Sequence, residues 1–214
     1  EFAAMGVEGR VGGRVMSRRG LHCEMVCDSA RQRFCLTTPR EETMLAVPIA
    51  NPAVNDQIKN QGGSAVYYGE EYGWQGSLGL IDVTSMYMIS LSSADVLDFT
   101  GTPADPSTTP ISLASGWNWI GYLPQNPGAL NVALESVSDN ADFIASQSSG
   151  VSTNYEGYGW GGSLVTLPPG NGYLLDMNAA DDLVYPEFDG LAKLADNQQS
   201  VALNSTIEDW DFHY

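Results

Sequence analysis

Positive charge is scarce in this chain. Only 9 Lys and Arg stand against 26 Asp and Glu over 214 residues, a formal net charge of −17. Neutralising a phosphate backbone needs a basic surface, so this balance excludes a nucleic-acid binder. Cysteine is scarce too. Cys23, Cys27 and Cys35 leave one thiol over after any pairing, which argues against a disulfide framework. The two histidines, His22 and His213, lie near the chain ends, where neither is placed to serve a Ser-His-Asp arrangement. No apolar run reaches the roughly 18 residues of a membrane helix, so no membrane insertion is expected. Neither a phosphate-cradling glycine loop followed by Lys nor a dinucleotide fingerprint occurs. His22 and the three cysteines number four potential zinc ligands, but their spacing fits no common finger and no metal is assigned. Glu70 and Glu156 recur at matched positions, which the duplication described below explains more simply than a glycosidase pair. No catalytic residue and no cofactor is assigned, and the chain is read as a non-enzyme.

The few cations are unevenly placed. All seven arginines (Arg10, Arg14, Arg18, Arg19, Arg31, Arg33 and Arg40) fall in the first forty residues, and from Glu41 onward only Lys59 and Lys193 are basic. Two readings of this basic stretch stay open. It is the remnant of an Arg-rich targeting peptide, or it is an arm that docks on the acidic body of a neighbouring copy, with Arg14, Arg18 and Arg19 as candidate contacts.

The chain repeats itself. Ile58 to Phe99 laid over Ile144 to Tyr185, a gap-free offset of 86 residues, pairs Gln61 with Gln147, Tyr72 with Tyr158, Trp74 with Trp160, Ser77 with Ser163 and Tyr87 with Tyr173. The string Tyr-Gly-Trp-x-Gly-Ser-Leu is shared intact. Each copy reads as β. Residues 64–68, 86–91, 117–122 and 172–177 are rich in aromatic and apolar residues between Gly, Pro or Ser clusters. One helix is expected over 129–137, where Leu130, Ala133, Leu134 and Val137 have helical spacing. The expected fold is therefore mainly β: two tandem homologous units, pseudo-twofold and sandwich-like, with one or two short helices. The divisions are a basic arm and start of the first unit (1–40), the first unit (41–100), a Pro-rich linker (101–110), the second unit (111–189) and a C-terminal tail (190–214). The counterpart of 116–124 in the first unit is expected near 30–38, with Phe34 matching Ile120.

The tail carries Leu203, Ile207, Trp210, Phe212 and Tyr214, too apolar for a purely solvated segment. Burying one Trp is worth about 2–3 kcal/mol, so the tail packs on its own body or on another chain. The aromatics of the repeat (Tyr72, Trp74, Trp117, Trp119, Tyr158 and Trp160, with Ser77 and Ser163 beside them) are read as core and turn residues of each unit. Were they exposed, their rings could instead stack on sugars.

The run Ser-Gly-Trp-Asn-Trp-Ile-Gly-Tyr-Leu-Pro-Gln at 115–125, followed by Tyr-Gly-Trp-Gly-Gly-Ser-Leu at 158–164 and Pro-Gly-Asn-Gly-Tyr at 169–173, resembles a repeat of bacterial surface and secreted proteins. The paired units, basic start and acidic body also resemble the pyrenoid shell (PyShell) proteins of diatoms. The first unit departs from the pattern in lacking its own Gly-Trp-Asn-Trp. The shell resemblance implies a structural protein that tiles with itself into a sheet or tube around the Rubisco-filled pyrenoid of the chloroplast stroma, supporting CO2 fixation, with Rubisco or a pyrenoid linker as partner on one face. The bacterial resemblance implies the alternative, a carbohydrate-binding or adhesion module of a secreted or cell-surface protein.

Overall fold

The computed structural model describes Ile49 and residues 51–78, 81–93, 95–101 and 103–188, together with the backbone of three earlier strands. The strands of the first half are β1 (Arg14–Ser17), β2 (Gly20–Cys27), β3 (Gln32–Cys35), β4 (Gln57–Lys59), β5 (Ser64–Tyr67), β6 (Trp74–Gly76), β7 (Met86–Ser90) and β8 (Asp95–Gly101). The second half has β9 (Ile111–Leu113), β10 (Gly116–Gly121), β11 (Gly128–Ala129), helix α1 (Leu130–Ala133), β12 (Ala141–Ala145), β13 (Val151–Tyr155), β14 (Gly159–Gly162), β15 (Thr166–Leu167), β16 (Gly172–Met177) and β17 (Asp181–Leu183). The protein is mainly β.

Two five-stranded antiparallel sheets carry the fold, ordered β3-β7-β4-β5-β6 and β10-β16-β12-β13-β14. Moving each strand of the first by 86 residues gives the corresponding strand of the second. The register follows the same rule. Phe34 faces Tyr87 as Ile120 faces Tyr173, and Ile58 faces Ile89 as Ile144 faces Leu175. The flanking pairs obey it too, with Val26 opposite Val96 and Ser112 opposite Asp182. The stretch expected to be a basic arm and the start of the first unit contributes three strands: β3 to the first sheet, and β1 and β2 to a three-stranded sheet with β8.

The gap-free alignment needs one correction. Ile58 faces Ala65, whereas Ile144 faces Ser152, so the second unit holds an extra residue between β12 and β13. It holds one fewer between β13 and β14, since Tyr67 faces Trp74 while Asn154 faces Trp160. The two changes cancel, which hides them in the sequence. Tyr68 therefore corresponds to Tyr155.

Strand alternation sorts each sheet into an inner and an outer face. The inner faces meet in one continuous core. Ile58, Tyr87 and Ile89 of the first unit and Ile120, Ile144, Tyr173 and Leu175 of the second are all buried in it. The expected helix over 129–137 divides into α1 and a 3-10 turn over Glu135–Val137, with Leu130, Ala133, Leu134 and Val137 buried as the spacing required. Residues 103–110 lead from β8 to β9 with a turn at 106–108, whereas Gly101, placed in the linker expected over 101–110, still belongs to β8.

Candidate binding face on the second sheet

The shared Gly-Ser-Leu string is a backbone device. Val151 O accepts from both Ser163 N (2.9 Å) and Leu164 N (3.1 Å), and Ser64 O accepts from both Ser77 N (2.9 Å) and Leu78 N (3.1 Å). A Cβ at Gly162 would overlap the Val151 carbonyl oxygen, and one at Gly76 would overlap that of Ser64, so only glycine fits. The serines close the same feature: Val151 N donates to Ser163 Oγ at 3.2 Å and Ser64 N to Ser77 Oγ at 3.3 Å.

Gly-Trp-Asn-Trp divides its labour by strand alternation. Gly116 has φ +86°, a left-handed conformation that opens the strand. Asn118 points inward and clamps the β9–β10 turn: its Nδ2 donates to Ala114 O (2.7 Å) and Gly116 O (2.8 Å), and its Oδ1 accepts from Ala114 N (2.9 Å). Trp117 and Trp119 therefore point outward. Here the expected core assignment is corrected for Trp117, which is 50% exposed, and Trp119 is only half-buried. Trp74 is buried as expected and Trp160 half-buried, while Tyr72 and Tyr158 stand exposed in the hairpin turns, Tyr158 at 92%. An aromatic one residue from a buried position belongs to the opposite face, and the indole's bulk does not alter that parity.

Register places two rows of side chains on the outer face of the second sheet. One runs Trp117, Asp176, Phe143, Thr153, Gly161, and the other Trp119, Leu174, Ala145, Val151. The Trp117 and Phe143 rings meet edge-on, centroids 5.9 Å apart at 81°. Val151 (43%) and Tyr155 (55%) extend the exposed apolar surface. The Lys59 ammonium reaches across from the first unit and lies 5.7 Å from the Trp119 ring centroid. Equivalent positions on the first sheet read differently: Gln57 for Phe143, Lys59 for Ala145, Ser64 for Val151, Ser90 for Asp176 and Gln75 for Gly161. Met88, Val66 and the exposed Tyr68 keep some apolar character on the first sheet, but the Phe143 and Val151 positions are polar there, so the two outer faces differ.

The free edge of β10 is capped by Gln61 of the first unit. Its Nε2 donates to Trp117 O (2.9 Å) and its Oε1 accepts from Trp119 N (2.8 Å), imitating a neighbouring strand. The β4–β5 loop is shaped for this by Asn60, whose Oδ1 accepts from Gly62 N and Gly63 N, each at 2.9 Å. Beside Gln61 lies a cleft of about 400 Å³ lined by residues that include Asn60, Thr84, Ser85, Ser112 and Trp119, with no carboxylate, His or Cys in its wall. The cleft thus offers no acid–base pair.

Among the described residues, no group of three or more His, Cys, Asp or Glu is placed to hold a metal ion. No helix among them is long and apolar enough to cross a membrane. His22, Cys23 and Cys27 fall in β2 and Cys35 in β3. Arg14 begins β1, its side chain outside the described residues, and Arg18, Arg19, Leu203, Ile207, Trp210, Phe212 and Tyr214 lie outside them altogether. Sequence reasoning missed Gln61, Asn118, Phe143 and Asp176 as working residues. Phe143 and Asp176 had a signal: each adjoins an inward residue, Ile144 or Leu175. Comparison with protein-family models, curated proteins and solved structures finds no match.

Proposed function

We propose that this is a structural protein whose copies associate with one another into an extended sheet or tube, as the resemblance to pyrenoid shell proteins implies. One observation carries the reading: a sheet face bearing exposed Trp117 against Phe143, with exposed Val151, on a strongly acidic chain, while the first unit has Gln57 and Ser64 where Phe143 and Val151 stand. Contiguous apolar surface on a soluble body marks a contact site. Because the two outer faces differ, contacts between copies need not be self-complementary, and heterologous contacts that do not close on themselves extend indefinitely. On the shell reading the place of action is the pyrenoid periphery in the chloroplast stroma, with Rubisco or a pyrenoid linker against one side of the sheet. Sedimentation of the full chain across a range of concentrations tests it. Growth into large particles without a fixed stoichiometry is expected, and a single small species at every concentration would overturn it.

A second reading, a carbohydrate-binding surface module, is favoured by the exposure of Trp117 alone. An indole with a carboxylate in the same row suits the CH face and hydroxyls of a sugar. Quenching of tryptophan fluorescence by soluble oligosaccharides, lost in Trp117→Ala, would support it against self-association.

A further inference from the structure

We propose that the row Trp117–Asp176–Phe143 is a receptor for an arginine side chain, filled by Arg18 or Arg19 of a second copy. The inference rests on the self-association reading and names the chemistry of its contact. Three observations converge. First, Asp176 is half-buried on β16, in register between Trp117 on β10 and Phe143 on β12, and among the described residues it has no hydrogen-bond or ion-pair partner. A carboxylate partly withdrawn from water beside two rings gains from a cation that satisfies its oxygens. Second, the neighbouring row of the same face already attracts a cation, since Lys59 lies over Trp119. Guanidinium suits the Trp117 site better than ammonium, because its plane stacks on a ring while its edge donates two parallel hydrogen bonds to a carboxylate.

Third, the chain's charge says where the cation comes from. Lys59 is the only basic residue between 49 and 188, and it is already engaged at Trp119. Every arginine lies in the first forty residues. Arg18 and Arg19 are the two residues that connect β1 to β2, whose last pair is Ser17 with Gly20. Among the described residues no cation reaches Asp176, and a second copy presenting Arg18 or Arg19 supplies the complementary charge. Opposite charges presented by different units of one chain give a head-to-tail contact, the kind that propagates.

The test is assembly of the full chain by sedimentation, with Asp176→Asn, Arg18→Gln/Arg19→Gln and their combination. Asn is isosteric at a part-exposed site, and matching thermal melts establish that each variant folds. The critical concentration is expected to rise about tenfold or more in each variant, with little further rise in the combination because both remove one contact. A direct probe is a synthetic peptide of residues 12–24 titrated into dilute full chain, read by tryptophan fluorescence. Saturable quenching that weakens with salt and disappears in Trp117→Ala is expected. If Asp176→Asn assembles like the parent while Trp117→Ala/Phe143→Ser does not, the arginine receptor is wrong and self-association stands. If the parent never assembles, self-association fails, and absence of peptide quenching would overturn the receptor separately. Quenching by a neutral oligosaccharide and not by the peptide would assign the face to sugar.

Discussion

Replacing Gly162 by Ala tests why the Tyr-Gly-Trp-x-Gly-Ser-Leu string occurs twice. The new Cβ would overlap the Val151 carbonyl oxygen and approach Ser152 Cα to 2.7 Å. Ordinary contact would require β14 to move away from β13 by roughly 1 Å. That movement weakens both bonds to Val151 O, from Ser163 N at 2.9 Å and Leu164 N at 3.1 Å. Two weakened hydrogen bonds at about 1 kcal/mol each, plus overpacking of about 1–2 kcal/mol, put the loss at about 2–4 kcal/mol. For a chain of this size the melting temperature falls by about 5–12 °C. Gly157→Ala is the control. Gly157 has φ +76° but open space around its Cα, so its replacement costs only the left-handed strain of about 1 kcal/mol. Differential scanning calorimetry of both variants, with Gly76→Ala beside Gly162→Ala, reads the comparison. A Gly162→Ala melt no lower than that of Gly157→Ala would refute the close-approach explanation.

Asn118→Ala removes all three hydrogen bonds of the buried clamp on Ala114 and Gly116 and is expected to cost about 2–4 kcal/mol in chemical denaturation. Burial pushes the Tyr87 phenol well above its ordinary value of 10.0, with the Asp82 carboxylate adding to the rise. Its contribution to stability is therefore complete below about pH 10 and declines as the pH rises beyond that, because the unfolded chain ionises first. Alkaline denaturation midpoints should accordingly be less pH-sensitive in Tyr87→Phe than in the parent, and equal slopes would contradict the assignment.

The legible part of this fold was its periodicity. Identities such as Trp74 with Trp160 exposed the doubled plan, and the aromatic and apolar runs around Tyr87 and Tyr173, bounded by Gly, Pro or Ser clusters, placed the strands. Phe34 matched Ile120 with little more than apolar character, yet β3 lies beside β7 as β10 lies beside β16. What stayed hidden depended on parity and on distance in sequence. Trp117 looked like core because aromatics usually are, but buried Asn118 claims the inward position, and a strand cannot send neighbours to the same face. The identity of Gln61 with Gln147 was visible, but the role of Gln61 became evident only when β10, 56 residues away, presented its edge. The compensating length changes in the two hairpins left no mark on the overall offset.

The central claim is that the aromatic outer face of the second sheet joins one copy to another. Electron microscopy of purified full-length Trp117→Ser/Phe143→Ser beside the parent and a Tyr158→Ser control tests it most directly, with circular dichroism establishing that each is folded. The account predicts sheets or tubes for the parent and the control, and dispersed single particles for the double variant. Extended assemblies formed as readily by the double variant as by the parent would contradict it.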